Sequence, residues 1–196
     1  ARFYDHTGVD FKALFRAVLN LGRAGGGSTL TQQLAKQIWS PRANNFFERA
    51  LQKPIEWVIA TQLERLYSKD EILLMYLNQF DFLYNAVGIQ SASYVYFYTP
   101  PSDLTIEQAA MLVGMLKNPS LYNPIRHPQR ALQRRNTVLS QMAKYEKITR
   151  EECDSLCAMP IEVKYHSVDH KQGLAPYFRE FLRLVLTAKE PQESNY

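Results

Sequence analysis

Ser28, Thr29, Gln32, Gln33 and Lys36 gather two hydroxyls, two amides and an ammonium directly after the glycines Gly25, Gly26 and Gly27. Glycines allow positive φ and close backbone approach, and Ser28 or Thr29 is a natural N-cap. Leu30, Leu34 and Ile38 recur at helical spacing, so a helix starts here with one apolar stripe and one polar face. Free N–H groups at a helix start favour anions, and the polar face reads as a cradle for a phosphate-bearing ligand. The same residues also suit a capped surface helix with a flexible lead-in. A nucleotide P-loop does not fit, because no Gly-Lys-Ser/Thr follows at the required spacing. Lys53 and Glu56, three apart, share a helix face as an ion pair. His6, among Phe3 and Tyr4, is a candidate ligand or acid, or a packed structural histidine.

Cys153, Cys157, His166 and His170 imitate a two-Cys, two-His zinc pattern. The central spacing is short of the roughly 12 residues usual in zinc fingers, and no finger-like apolar frame surrounds it. A disulfide between cysteines one helical turn apart is awkward, so two free thiols are expected.

These groups need helices to hold them. Phe11, Leu14, Phe15, Val18 and Leu19 form one side of an amphipathic helix, whose plain reading is core packing. Phe47, Leu51, Ile55, Val58, Ile59 and Leu63 continue a second pattern, with a kink or fresh start expected at Pro54. Ser68-x-x-Glu71, Thr105-x-x-Gln108 and Thr149-x-x-Glu152 read as capping boxes. Ile72, Leu73, Tyr76 and Leu77 follow the first as a buried stripe; Ala109, Ala110, Leu112, Val113 and Leu116 follow the second as a fully buried set. Asn118 to Pro124 is a turn cluster. Pro128 to Tyr145 is a helix whose Arg130, Arg134 and Arg135 form a solvated basic face rather than a nucleic-acid surface. Ile161 to Tyr165 reads as extended, and Gly173 precedes a helix with Phe178, Phe181, Leu182 and Val185; Gln192 to Tyr196 reads as frayed. With hardly any alternating pattern, the class is mainly α.

A chain of 196 residues suits one domain with a short extension. With 46% hydrophobic residues, 12 Tyr and 10 Phe, it is not disordered or low-complexity. A net charge of +4 leans towards anionic partners without choosing among lipid headgroups, pyrophosphate and nucleic acid. No apolar run reaches the roughly 18 residues of a membrane span, and no signal-peptide pattern opens the sequence.

Gly26 to Gln37, GGSTLTQQLAKQ, resembles the second signature of the peptidoglycan glycosyltransferases, the lysozyme-like domains of bifunctional penicillin-binding proteins and monofunctional transglycosylases. Phe3, His6 and Gly8 match the second half of that family's first signature, Glu-Asp-x-x-Phe-x-x-His-x-Gly. Its Glu-Asp would fall immediately before Ala1, so the expectation is an N-terminally truncated domain. Lys53 and Glu56 match Arg-Lys-x-x-Glu, with Gln52 where Arg is usual and Arg49 one turn earlier as a stand-in cation. Tyr76-Leu77-Asn78 and Gly88-Ile89 resemble the fourth signature, and Pro119 to Pro124 the family's Pro-Ser-x-Tyr-Asn-Pro.

The resemblance implies a lysozyme-like fold with a membrane-facing jaw, formed by 11–23 and the loop at 39–47. It implies polymerisation of lipid II into glycan strands for the cell wall, at the periplasmic face of the inner membrane. Glu56 would be the catalytic carboxylate of this chain; Phe3, His6, Ser28, Thr29, Gln32, Gln33, Lys36, Arg49 and Lys53 would bind substrate. A divalent cation, magnesium or manganese, is implied, with no organic cofactor. Expected partners are lipid II, the growing glycan, the membrane surface and other cell-wall synthesis proteins, with no nucleic acid. The glycosyltransferase domain is expected at 1–145, with 146–196 as a helical extension towards a transpeptidase domain whose Ser-x-x-Lys and Lys-Thr-Gly motifs do not occur in this sequence. A lipid II-binding domain without turnover and a lysozyme-like muramidase are the alternatives.

Overall fold

The computed structural model describes residues 3–19, 27–39 and 45–166, without side-chain detail at 13, 17, 18 and 46–50. Among them run eight α-helices: α1 (Phe11–Leu19), α2 (Leu30–Trp39), α3 (Phe46–Leu66), α4 (Lys69–Gln79), α5 (Gly88–Phe97), α6 (Ile106–Met115), α7 (Pro128–Lys144) and α8 (Arg150–Ala158). An isolated antiparallel bridge, Asp81 with Val87, closes the α4–α5 loop, and no strand forms among the described residues. Arg23, Gly25, Gly26, the loop residues 40–44, His170, the helix expected after Gly173 and the expected frayed end lie outside the described residues.

The helices start where local chemistry fixes them. Ser68 and Glu71 at α4, Thr105 and Gln108 at α6, and Thr149 and Glu152 at α8 all form the expected capping boxes. Thr29 and Gln32 form the same reciprocal pair at α2: the Gln32 N–H donates to Thr29 Oγ1 and the Thr29 N–H to Gln32 Oε1, both at 3.2 Å. In the turn cluster, the Leu121 N–H donates to Asn118 Oδ1. Buried Asn123 accepts the N–H groups of Ile125 and Arg126.

The main core lies between α2, α4, α5 and α6, where Leu34, Ile72, Tyr76, Phe82, Tyr96 and Met111 pack together. Of the expected set on α6, Ala110 and Leu112 are buried, Ala109 and Leu116 are partly buried, and Val113 is 46% exposed. A helix packed on one side keeps one face in solvent, and Val113 falls on it. A smaller cluster of Ala110, Leu139 and Cys153 joins α6, α7 and α8.

Arg135 departs from the expected solvated face: it is 1% exposed. Its guanidinium donates to the carbonyls of Leu156, Cys157, Met159 and Pro160, closing the C-terminal end of α8. Five fixed N–H donors suit a cluster of orphan carbonyls better than they suit solvent. Arg134 is half-buried, with its Nε on the Gly114 carbonyl. Beyond α8, Lys164 and His166 donate backbone N–H groups to Tyr96 and Val95 at the end of α5. Residues 150–166 are thereby fastened to the main body.

α1 and α3 also differ from expectation. Phe11, Phe15 and Leu19 are 66–72% exposed rather than core. α3 runs unbroken through Pro54: proline costs it one backbone hydrogen bond, while contacts at Lys53 and Glu56 on one side and Ala60 and Glu64 on the other hold it.

Candidate active site

The buried ridge of α3 is polar. Glu56, Ala60 and Glu64 recur every four residues and share a face; the Glu56 and Glu64 side chains are 2% and 3% exposed. Leu51, Ile55, Val58 and Leu66 on the same helix are exposed instead. The partners of the ridge explain this inversion. Gly8, at φ +87°, lies flat on Ala60, where an added Cβ would come within 3.0 Å of Ala60 and Thr61 backbone atoms. Small residues on both sides let the 3–10 segment sit close enough for its polar groups to meet those of α2, α3 and α4.

At one end of the ridge, Lys53 Nζ donates to Glu56 Oε2 at 2.7 Å and to Ser28 Oγ at 3.2 Å. Lys53 is 35% exposed, so its ammonium reaches solvent while pairing a buried carboxylate. Ser28 immediately precedes the α2 N-cap. A hydroxyl, an ammonium and a carboxylate are thus aligned beside a helix N-terminus, whose dipole adds partial positive charge.

Thr29 and Gln32 are buried, with polar groups engaged inside the protein; Thr29 Oγ1 donates to the Gly8 carbonyl at 2.6 Å. They fix the start of α2. Gln33 is exposed and accepts from the Tyr76 hydroxyl at 3.2 Å. Burial pushes the Tyr76 phenol up from its ordinary value, keeping it a donor to Gln33. Lys36, one turn further along α2, is half-buried.

Phe3 and His6 gather at the other end of the ridge, around Glu64. Lys69 Nζ donates to Glu64 Oε2 and to the His6 carbonyl, both at 2.5 Å, and lies 4.7 Å from the Phe3 ring centre. His6 Nδ1 is 3.9 Å from Glu64 Oε1, and Thr31 Oγ1 donates to Glu64 Oε1 at 2.5 Å. Among the residues expected to bind substrate, then, the fold joins Ser28 to Lys53 and Glu56 and sets Phe3 and His6 apart from them. The Arg49 side chain lies outside the described residues.

Sequence reasoning missed Glu64, Thr31 and the Gln33 partner Tyr76. The repeat Glu56-x3-Ala60-x3-Glu64 is the signal that points to Glu64, whereas the Thr31 and Tyr76 contacts need the fold. Of the zinc-like pattern, Cys153 and Cys157 are free thiols with sulfurs 3.9 Å apart, and His170 lies outside the described residues. His166 stacks near Tyr98 at 4.8 Å. Among the described residues no group of three or more His, Cys, Asp or Glu could hold a metal.

Comparison with known proteins places this chain in a family. The transglycosylase family model matches residues 1–143. Penicillin-binding protein 1F of Bacillus subtilis (strain 168) is 40% identical over 197 residues, covering 98% of this chain and 26% of that protein. Penicillin-binding protein 1A of Escherichia coli (strain K12) is 40% identical over 191 residues, 93% of this chain and 21% of that protein. The 2.6 Å crystal structure of penicillin-binding protein 1A from Haemophilus influenzae aligns over 84% of this chain and 20% of that one, with a TM-score of 0.49 and 25% identity. The chain spans about a quarter of the length of the curated relatives it matches. It belongs to the transglycosylase family, as a domain of the kind found in class A penicillin-binding proteins.

Proposed function

We propose that this domain polymerises lipid II into peptidoglycan glycan strands with inversion at the transferred sugar. The acceptor's sugar 4-hydroxyl attacks the donor's anomeric carbon, and the bond to undecaprenyl pyrophosphate breaks with its electron pair on the departing oxygen. Such a reaction needs a base at the nucleophile and fixed positive charge at the leaving group. The Lys53 contact with both buried Glu56 and Ser28, beside the start of α2, carries this reading. Lys53, Ser28 and Lys36 would meet the charge developing on the pyrophosphate. Glu56 would hold the Lys53 ammonium in place and offset its charge before substrate arrives. Gln33, steadied by Tyr76, and Arg49 would complete the donor side, with Phe3 and His6 nearer the acceptor. Thr29 and Gln32 would serve by fixing the helix start.

Among the described residues Glu56 is the one carboxylate at this cluster, already paired with an ammonium 2.7 Å away. The described residues therefore do not make a resident site for a divalent cation. The acceptor-side base is expected in the Glu-Asp pair that the first signature places before Ala1. Phe11, Phe15 and Leu19 on α1 and Leu51, Ile55 and Val58 on α3 expose apolar side chains, which suits contact with the outer leaflet of the inner membrane, where lipid II is presented. No helix among the described residues is long and apolar enough to cross a membrane. Residues 1–145 would form the catalytic unit, with 146–196 leading towards a transpeptidase domain and other cell-wall synthesis proteins.

The test is lipid II polymerisation by the 196-residue chain and by the same chain extended upstream through Glu-Asp. Glycan strands and released undecaprenyl pyrophosphate from the extended chain alone are expected. Lipid II binding without product from either would overturn turnover in favour of a binding module.

A further inference from the structure

We infer that Glu64 is a positioning residue for the donor side, setting the seat of α2 on α3; the inference rests on the proposed donor-side role of Ser28, Lys53 and Glu56. Polar contacts join α2 and its lead-in to α3 at separated places, among them Ser28 and Thr31. The lead-in is held at Ser28 by Lys53 and Glu56, and the first turn of α2 is held at Thr31 by Glu64. Glu56 and Glu64 lie eight residues apart, about 12 Å along the helix axis. Two separated contacts fix an orientation that one would leave free to pivot.

Glu64 also holds Lys69 at the start of α4, and Lys69 holds the His6 carbonyl. Gly8, two residues on, accepts the Thr29 hydroxyl at the α2 N-cap. Glu64 thus reaches the start of α2 by two routes, directly through Thr31 and around through Lys69, His6 and Gly8. Its carboxylate has the contacts to do this and almost no exposed surface from which to meet substrate: the side chain is 3% exposed, and Thr31 is fully buried. A shift of α2 would move Ser28, Gln33 and Lys36 together relative to Glu56. Misplacement on the order of 1 Å costs about a hundredfold in well-oriented sites.

Glu64→Gln, Thr31→Val and Thr31→Ser, each in the upstream-extended chain, separate positioning from general stability. Valine removes the hydroxyl at nearly constant shape, and serine restores it. Amide hydrogen exchange across residues 27–39 is expected to quicken by about tenfold or more in Glu64→Gln and Thr31→Val while 106–144 keeps its protection. In lipid II polymerisation, kcat should fall about tenfold or more with KM within about twofold, and Thr31→Ser should recover both readouts. Unchanged exchange at 27–39 in Thr31→Val, or equal behaviour of the Val and Ser variants, would overturn the inference. So would accelerated exchange throughout the chain, because the contact would then hold the whole domain rather than the site. Local loosening of α2 in Glu64→Gln and Thr31→Val, relative to a parent that itself makes no glycan, would uphold the seating role and defeat the proposed reaction.

Discussion

Lys53 and Glu56 depend on each other in the fold. Burying Glu56 is tolerable because Lys53 lies 2.7 Å away; removing the ammonium strands a charge in a site 2% exposed. Lys53→Met should destabilise the domain by about 1–2 kcal/mol, a figure reduced because the lysine itself is partly in water. Adding Glu56→Gln should restore part of that loss. Urea unfolding of the two single variants and the double variant measures the coupling. Gly8 is a second local commitment: with φ +87° and Ala60 backbone atoms 3.0 Å from any Cβ, Gly8→Ala should cost about 1–3 kcal/mol in the same measurement. A change of less than about 0.5 kcal/mol would mean the segment relaxes away from α3.

The helix starts were legible because a capping box depends on residues three apart and nothing distant. Ser68 with Glu71, Thr105 with Gln108, and Thr149 with Glu152 follow from spacing alone. The face of α3 was not legible. Leu51, Ile55 and Val58 look like a core stripe, yet the buried ridge is Glu56, Ala60 and Glu64, because its partners Gly8, Ser28, Thr31 and Lys69 come from other parts of the chain. The candidate site was half legible for the same reason: Lys53 and Glu56 pair locally, whereas the Ser28 contact needs the fold. The α4 cap carries its own pH signature. The Ser68 N–H, donating to Glu71, holds the Glu71 carboxyl below the ordinary carboxylate range. Its folded pKa is lower than its unfolded one, so its contribution is present above the unfolded value and fades as pH falls through the folded one. The stability gap between the parent and Glu71→Ala should therefore be open at neutral pH and narrow in acid; a gap constant with pH would contradict this.

Arg135 ties the molecule together beyond the span of the family match. It sits on α7, inside residues 1–143, and its guanidinium closes the end of α8 at the carbonyls of 156–160. Lysine cannot reproduce that fork, so Arg135→Lys should cost about 2–4 kcal/mol. Hydrogen exchange should rise first at 150–166 while α4 and α5 stay protected. Equal loosening everywhere would mean that α8 is no separate unit. Around this scaffold Glu56 and Glu64 of α3 face inward while Leu51, Ile55 and Val58 face out, the arrangement on which the proposed work beside a lipid surface depends.

The most direct measurement is the rate of lipid II polymerisation by the upstream-extended chain with Glu56 intact and as Glu56→Gln, with lipid II binding and folded state followed in parallel. If Glu56 and Lys53 form the leaving-group side, the rate should fall by about a hundredfold or more while the fold and lipid II binding persist. A Glu56→Gln protein polymerising within about threefold of the parent would contradict that assignment.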